Sequence, residues 1–445
     1  MPVLASSDVS LLDVIELDTG YTTIVDEYYR PVAPQVVLDG ARAGMVAYLR
    51  GRGIADPQVS LMRAHPDGRG VVPAIEGQLG RVIERYGAQI DVRDLVYGAL
   101  RGELAALHDP YTVFFTKREL GGFTAALDGR SFGGIGVVVA ADPQQRYIAD
   151  EVFDGGPAAK AGLAAGDHIV AVDGEAVDGL ASDAVSALLR GTIGSRVVLD
   201  VDSPHAAGTR RLTIVRAAIT PPDVSARLLP GDIGYVALRA FGPDAGAQVH
   251  SALARLHARG ARAIVFDLRG NRGGYESAAV RVASAFISDG TIVVTQTNHG
   301  HRVATVADRS ALAALPLAVL VDRDSASGSE LVTGAIADHH AGIVIGTRTF
   351  GKGVEQTMFP LPDGSAMKVT TARYFTPNGR DIDGIGIEPD LVVDEPPGSV
   401  RGVPGNDPQL DAALQRFAQA PATTAPLAPR MAATSAPVTN ATSAP

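Results

Sequence analysis

The sequence predicts an α/β core with a mixed sheet, preceded by a helical region and a compact β-rich unit. Three observations carry this. From residue 231 to 395, apolar strands alternate with helical patterns, as in a sheet covered by helices. From 20 to 110, apolar and small residues recur at helical spacing. Between 130 and 217, short alternating strands are separated by glycine-rich turns. The expected units are a helical region over 1–128, the β-rich unit over 129–218, the α/β core over 219–396, a C-terminal helix region over 397–420 and a disordered tail over 421–445.

Composition bounds what the chain can do. Its 445 residues are 46% hydrophobic, enough for two or three domains with sizeable cores. There is no cysteine, which excludes disulfides, cysteine nucleophiles and thiolate metal sites. The net charge of -10, without a basic block, argues against nucleic-acid binding. No apolar run reaches 18 residues, so no membrane-spanning helix is expected. The opening MPVLASSDVSLLDV has neither a basic head nor a continuous apolar segment and does not read as a secretory signal. Of 39 basic residues only Lys117, Lys160, Lys352 and Lys368 are lysine. A chain this rich in arginine keeps lysine where guanidinium cannot serve, and proton abstraction is one such place.

The helical region holds a faint repeat. Tyr28 and Tyr86, Gly40 and Gly98, Gly44 and Gly102, and Leu49 and Leu107 are each 58 residues apart. Two copies cannot make a solenoid, so helical hairpins packed on a core are expected, with dimerisation or covering a site as the alternative. In the β-rich unit, Ser131 to Gly136 runs into the strand Val137–Val139, and Gly155 to Leu163 opens a short helix. Asp173-Gly174 forms a hairpin turn, and Ser182–Leu189 is an amphipathic helix. Glycines before the first strand leave amides free for a carboxylate, and a helix beside that strand leaves a groove for an added peptide strand.

In the core, Ala263–Leu268 is a nearly continuous apolar strand ending in Arg269-Gly270-Asn271-Arg272-Gly273-Gly274. A second apolar run ends at Val321 and is followed by Ser325, Ala326, Ser327, Gly328, Ser329 and Glu330, where a helix begins. A hydroxyl on such a turn stands above the sheet beside unpaired helix amides. Ser325, Ser327 and Ser329 are all candidate nucleophiles, and any could instead cap the helix. Gly328 favours Ser327, because it permits close approach and offers an amide. Gly273 or Gly274 could supply a second donor to an oxyanion. Beyond the next strand, Lys352 sits between Gly351 and Gly353. Buried beside a serine, its proton affinity would fall and the amine could act as a base. Gln356, one helical-type interval further, could orient it. His339 and His340 end the serine helix, roughly 18 Å from Ser327 by helical rise, too far for a histidine triad. No metal-binding run is found, and no metal or cofactor is expected.

These residues resemble the carboxy-terminal processing peptidases, serine proteases of S41 type with an embedded PDZ domain and a Ser-Lys dyad. The likeness runs over roughly residues 20 to 418. It lies in Asp109-Pro110-Tyr111-Thr112, Phe132-Gly133-Gly134-Ile135-Gly136, Asp267-Leu268-Arg269 with Asn271, Ser325-Ala326-Ser327, Gly351-Lys352-Gly353, Gln356, Tyr374 to Pro377 and Gly386 to Asp390, in this order. The resemblance implies Ser327 as nucleophile, Lys352 as general base and Gln356 as the residue that positions it. It implies oxyanion donors at Gly273 or Gly274 and at Gly328. It implies a PDZ-like β-sandwich inserted before the catalytic core, with substrate C-termini bound at Phe132, Gly133, Gly134, Ile135, Gly136, Val137 and Leu188. Three departures stand out: Arg272 where proline is common, Gly328 where alanine is usual, and Val354-Glu355 where serine and valine are frequent. None removes a reacting group.

The expected function is endopeptidase cleavage of protein substrates near apolar C-termini through an acyl-enzyme. The competing expectation is an inactive PDZ scaffold that only binds peptides. The resemblance suggests a bacterial periplasmic or extracellular setting, while the residues leave the cytoplasm equally open. It is compatible with a homo-oligomer and with an adaptor or activator.

Overall fold

The computed structural model describes residues 10–63, 69–127, 132–141, 146–153, 155–178, 180, 182–203, 206–219, 223–312, 315–396 and 399–419. The expected tail beyond 420 lies outside these residues, as does Ser131.

The chain begins with α1 (Leu11–Glu27), α2 (Pro34–Gly51), α3 (Val71–Tyr86) and α4 (Val92–Ala105), then β1 (Val113–Phe115) and α5 (Lys117–Leu127). The repeat glycines have a packing cause. A Cβ on Gly44 would fall 2.0 Å from the Gly98 carbonyl, and one on Gly102 would fall 2.2 Å from that of Gly40. Each copy therefore supplies one side of a close α2–α4 crossing that only glycine allows. The helices are not a separate body. Strand β1 joins a sheet of the core, and Met367 and Val369 of that sheet lie in the helical core with Leu17, Leu38 and Leu100. Sequence periodicity had no means of seeing a three-residue strand that pairs more than 250 residues away.

The β-rich unit comprises β2 (Phe132–Gly134), β3 (Val137–Ala141), β4 (Tyr147–Val152), α6 (Pro157–Lys160), β5 (His168–Val172), β6 (Glu175–Ala176), α7 (Ser182–Leu189), β7 (Arg196–Ser203), β8 (Ala206–Val215) and β9 (Ala217–Ile219). Its main sheet runs β3-β4-β5-β7-β8, with β6 on β5, and β2 pairs with β9. Strand β3 is an edge, with β4 on one side only.

The core follows as β10 (Val224–Leu229), β11 (Ile233–Leu238), α8 (Ala245–Ala258), β12 (Ala263–Asp267), α9 (Glu276–Ser284), β13 (Thr291–Thr297), β14 (Arg302–Val306), β15 (Leu317–Val321), α10 (Gly328–Asp338), β16 (Ile343–Gly346), β17 (Val354–Pro360), β18 (Ala366–Phe375), β19 (Leu391–Val392) and α11 (Pro408–Gln419). The central sheet is mixed as expected: β10-β11-β12-β15-β16-β19, antiparallel at β10–β11 and parallel beyond. Its central strands β12 and β15 are buried on both faces. Ile264, Phe266, Leu317, Val319 and Val321 enter one core with α8, α9 and α10, while Val265, Ala318 and Leu320 enter another with α11. This period of two explains why the strands read as unbroken apolar runs. A second sheet, β1-β18-β13-β14 with β17 on β18, carries the chain beyond Lys352.

Helix α11 is held to the central sheet by a buried ion cluster. Arg269 donates to Asp267 (2.5 Å) and to Asp407 (2.7 Å), and Tyr235 donates to Asp267 (2.7 Å). Burial works against the charges of Asp407 and Arg269. Their mutual hydrogen bonds prevail, holding Asp407 below and Arg269 above their ordinary values. Replacing Arg269 by methionine strands two carboxylates without a cation, and should cost about 3–5 kcal/mol in urea unfolding. A loss under about 1 kcal/mol would contradict the role given to this cluster.

Candidate active site

The parallel order β12-β15-β16 delivers three turns to one edge of the central sheet: 268–275 after β12, 322–327 after β15 and 347–353 after β16. Lys352 is not at the strand end itself. It lies in the loop that passes from β16 to β17 of the second sheet.

Asn271 locks the first two turns together. It is fully buried, its Oδ1 accepts from Gly273 N–H (2.9 Å), and its side-chain amide donates to the Leu238 carbonyl (2.9 Å). Its own carbonyl accepts from Ala326 N–H (3.0 Å) and Ser329 Oγ (2.8 Å). Asp322 does the same below, accepting from Gly270 N–H and Ser325 N–H at 3.0 Å each.

The three serines now separate. Ser325 is buried, and its hydroxyl donates to the Leu268 carbonyl (2.9 Å). The buried Ser329 hydroxyl is bound to Asn271. Ser327 is half-buried, and its hydroxyl makes no side-chain hydrogen bond to another residue's side chain among the described residues. Its backbone sits at φ 54° and ψ -110°, a strained conformation for a residue with a side chain. Such a sharp strand-to-helix turn raises the side chain off the sheet. The surroundings hold it there: a Cβ on Gly273 would lie 2.9 Å from the Ser327 Cβ.

The two turns meet closely, since a Cβ on Gly273 would lie 3.0 Å from Gly328 N. Gly273 N–H is already bound to Asn271, so it is not a free donor. Gly274 N–H and Gly328 N–H, by contrast, meet no protein acceptor among the described residues. Gly328 also has a steric reason. A Cβ there would lie 3.0 Å from the buried Phe241 ring and 3.3 Å from the Ala279 methyl. Arg272 points outward, pairing with Asp324 at 2.8 Å while 80% exposed.

Glu330 was not singled out by sequence reasoning. Its buried carboxylate accepts four hydrogen bonds. Oε2 takes Ser327 N–H (2.9 Å) and Lys352 N–H (2.8 Å), while Oε1 takes Thr349 Oγ1 and Gly351 N–H, both at 2.6 Å. The two backbones therefore share one oxygen atom. Thr349 in turn accepts from Ile387 N–H (2.7 Å), which gives the Gly386–Asp390 segment a bracing role. The signal was present, since a glutamate three residues after a helix-capping serine is a capping-box pattern. Its reach across to the lysine loop was not.

Lys352 is half-buried, and no hydrogen bond joins its Nζ to Ser327 Oγ in this state. Its Nζ instead lies 4.8 Å from the Tyr111 ring centre. Burial, followed by the nearby Lys368 ammonium, lowers its pKa to about 8 against the opposing pull of Asp109 and Glu330. Tyr111 and Asp109, named in the sequence only as a motif, thus reach the lysine. Asp109 accepts from Tyr111 N–H (2.8 Å), Thr112 Oγ1 (2.8 Å) and Thr370 Oγ1 (2.6 Å). Gln356 is on a strand, not at a helical interval. It lies after a bulge in β17, opposite Thr370, and its amide donates to the Val354 carbonyl at 3.3 Å.

The β-rich unit has a cavity of about 320 Å³ between β3 and α7. Gly134, Ile135, Gly136 and Val137 line it, and so do Ser186, Leu189 and Arg190. Leu188 does not. It packs against the unit's own core, because one step along a helix turns a side chain by about 100° and the groove-facing row is 186, 189 and 190. Gly133 stands behind the groove, where a Cβ would fall 1.9 Å from the Gly191 carbonyl. For Phe132 the backbone pairs with Ile219.

Glu330→Gln tests the central clamp. Either orientation of the amide sets an NH2 against two donors, so stability should fall by about 2 kcal/mol. Hydrogen exchange at Ser327, Gly351 and Lys352 should accelerate together. Unchanged exchange at Lys352 would contradict the shared-oxygen geometry.

Comparison with known proteins identifies the family. The model of peptidase family S41 matches residues 232–393, and a PDZ domain model matches 149–202. A chloroplastic C-terminal processing peptidase of Tetradesmus obliquus is 38% identical over 322 residues, spanning 68% of this chain and 69% of that relative. The carboxyl-terminal-processing protease of a Synechocystis species is 34% identical over 311 residues, 68% of this chain and 72% of its own. That of a Picosynechococcus species is 34% identical over 337 residues, 74% and 81%. No helix among the described residues is long and apolar enough to cross a membrane. With such identity over more than two thirds of its relatives, the chain belongs to the C-terminal processing peptidases, serine-type proteases of family S41 that carry a PDZ domain and act on proteins.

Proposed function

We propose that this protease cleaves its substrates through a Ser327–Lys352 dyad, with the PDZ groove holding the substrate C-terminus. The observation that carries the dyad is Glu330 Oε2, which binds the backbones of both residues, together with the lowered proton affinity of Lys352. The neutral Lys352 amine leaves the Tyr111 ring, takes the Ser327 proton, and the serine oxygen attacks the scissile carbonyl. Catalytic hydrogen bonds of this kind commonly tighten only when substrate is bound. Gly274 and Gly328 amides receive the oxyanion, in place of Gly273, whose N–H is occupied. The Lys352 ammonium returns its proton to the leaving amine as the C–N bond breaks. In the second half, Lys352 takes a proton from water as its oxygen attacks the acyl carbonyl, and returns that proton to Ser327 Oγ as the ester C–O bond breaks and the new carboxyl terminus leaves. Gln356, beside Thr370 on the lysine's sheet, limits where the amine can turn.

The edge position of β3 supports substrate binding by strand addition. A substrate terminus laid along β3 would place its carboxylate at the Gly134–Gly136 backbone and its last side chain against Ile135, Val137 and Leu189. Apolar termini fit this lining best.

A lowered lysine pKa gives a defined sign. The active amine form grows as pH rises through about 8, so kcat/KM should climb across that region. Lys352→Ala should lose about 10³-fold or more, and Lys352→Arg should fail equally, because guanidinium stays charged. A flat profile from pH 6 to 9, or an active Lys352→Arg enzyme, counts against the dyad. For the groove, peptides ending in Val or Ala should be cleaved about tenfold faster than those ending in Asp, with Ser327→Ala as the blank. Equal rates across the panel would remove the PDZ groove from substrate selection.

A further inference from the structure

Of the four lysines, Lys352 lies in the loop that leads into β17, and Lys368 lies on the strand paired with β17. Lys368 is on β18, paired with Val113 of β1 on one side and Met358 of β17 on the other. Thr370, two residues on and so on the same face, binds Asp109, and the neighbouring Tyr111 carries the Lys352 Nζ on its ring. Lys368 has an unusual seat for an ammonium. Its Nζ lies 5.0 Å from the centre of the Phe123 ring and 5.9 Å from that of Phe115, two rings that stack at 4.8 Å. Among the described residues no carboxylate lies within ion-pairing distance of either Lys352 or Lys368.

We infer that Lys368 is a positioning residue for the proposed base: its ammonium, held on an aromatic face rather than by a carboxylate, repels the proton of Lys352 and biases that lysine toward the amine. The inference rests on the dyad reading above. Its physics is that of two cations in a half-buried site, where the deeper one gives up its proton first. Burial lowers the proton affinity of Lys368 as well, while Asp109 and the aromatic faces favour its charged form, and among the described residues no paired carboxylate neutralises its field. The other groups facing Lys352 act in the opposite sense: Asp109 from the loop before β1, Glu330 from α10 and the Tyr111 ring. Asp383, which accepts from Gly353 N–H, faces Tyr111 from the far side. Among the described residues, Lys368 is the cation set against these groups, and its removal should return the proton to Lys352.

The test is the pH dependence of kcat/KM between pH 6 and 10 for the wild type, Lys368→Met, Lys368→Gln and Lys368→Arg. The neutral variants should move the midpoint of the rising limb alkaline by about half to one pH unit, lowering kcat/KM at pH 7 by about three- to tenfold. The high-pH plateau should stay within about twofold, and Lys368→Arg should hold the wild-type midpoint. In the Ser327→Ala background, trace acetylation read by mass spectrometry reports each of the four lysines separately. There Lys352 should titrate below Lys368, and its curve should shift alkaline in Lys368→Gln. An unmoved labelling curve in the neutral variants, or a lowered plateau with an unmoved midpoint, overturns the inference. Turnover retained by Lys352→Ala would instead sink the dyad, while the labelling curves would still show whether Lys368 acts on Lys352.

Discussion

One carboxylate holds the site together. Glu330 receives four donors from two stretches of chain: the Ser327 amide of the serine turn, and Thr349 with the amides of Gly351 and Lys352 in the lysine loop. A buried carboxylate without such partners would be costly, since each charged hydrogen bond offsets part of its lost hydration. The consequence is geometric as well as energetic. The loop carrying Lys352 leaves the central sheet after β16 and enters the second sheet at β17, so nothing in the sheet ladders fixes it against the serine turn. Glu330 ties it there with three of its four hydrogen bonds, beside one backbone bond from Phe350 N–H to the Ser325 carbonyl (3.0 Å), and the helix it belongs to starts at the serine. The strained backbone of Ser327 is tolerated because Asn271, Gly273 and Glu330 determine its surroundings from three sides.

Much of this arrangement was legible in the sequence, for identifiable reasons. Strands buried on both faces leave unbroken apolar runs, so β12 and β15 and the turns after them could be placed. The groove of the PDZ unit followed from a glycine turn, a strand and an amphipathic helix, although the helical face was misjudged by one residue at Leu188. The three serines could not be separated by pattern. What separates them is whether the hydroxyl is occupied, and the acceptors are Leu268 and Asn271, 57 and 58 residues away. The same limit hid Gly273, whose amide is taken by a side chain two residues before it in a turn that spacing alone does not define.

The contacts that escaped sequence reading are those between the N-terminal helices and the second sheet. Thr112 and Thr370 bond across 258 positions, and Tyr97 reaches Asp363 across 266. Local periodicity contains no information about such pairs. Yet they decide the surroundings of Lys352, because the loop between α4 and β1 brings Asp109 and Tyr111 over β18. The helical region is thus continuous with the second sheet, and its glycine-lined α2–α4 crossing packs in one core with Met367 and Val369 of β18.

Asp109 shows how the site avoids disabling its proposed base. A carboxylate this near a lysine would ordinarily form an ion pair, and an ion pair would hold the proton on nitrogen. Here one oxygen of Asp109 is occupied by Thr112 and Thr370 and the other by the Tyr111 amide, so its lone pairs are directed at neutral donors. The lysines receive aromatic faces in its place: Tyr111 for Lys352, and Phe115 with Phe123 for Lys368. An aromatic face steadies an ammonium by about 1–2 kcal/mol without supplying a full opposing charge. Burial can then dominate, and burial favours the amine. The threonines of the Asp109 cluster consequently serve the chemistry as much as the fold: by engaging the acid, they leave the base unpaired.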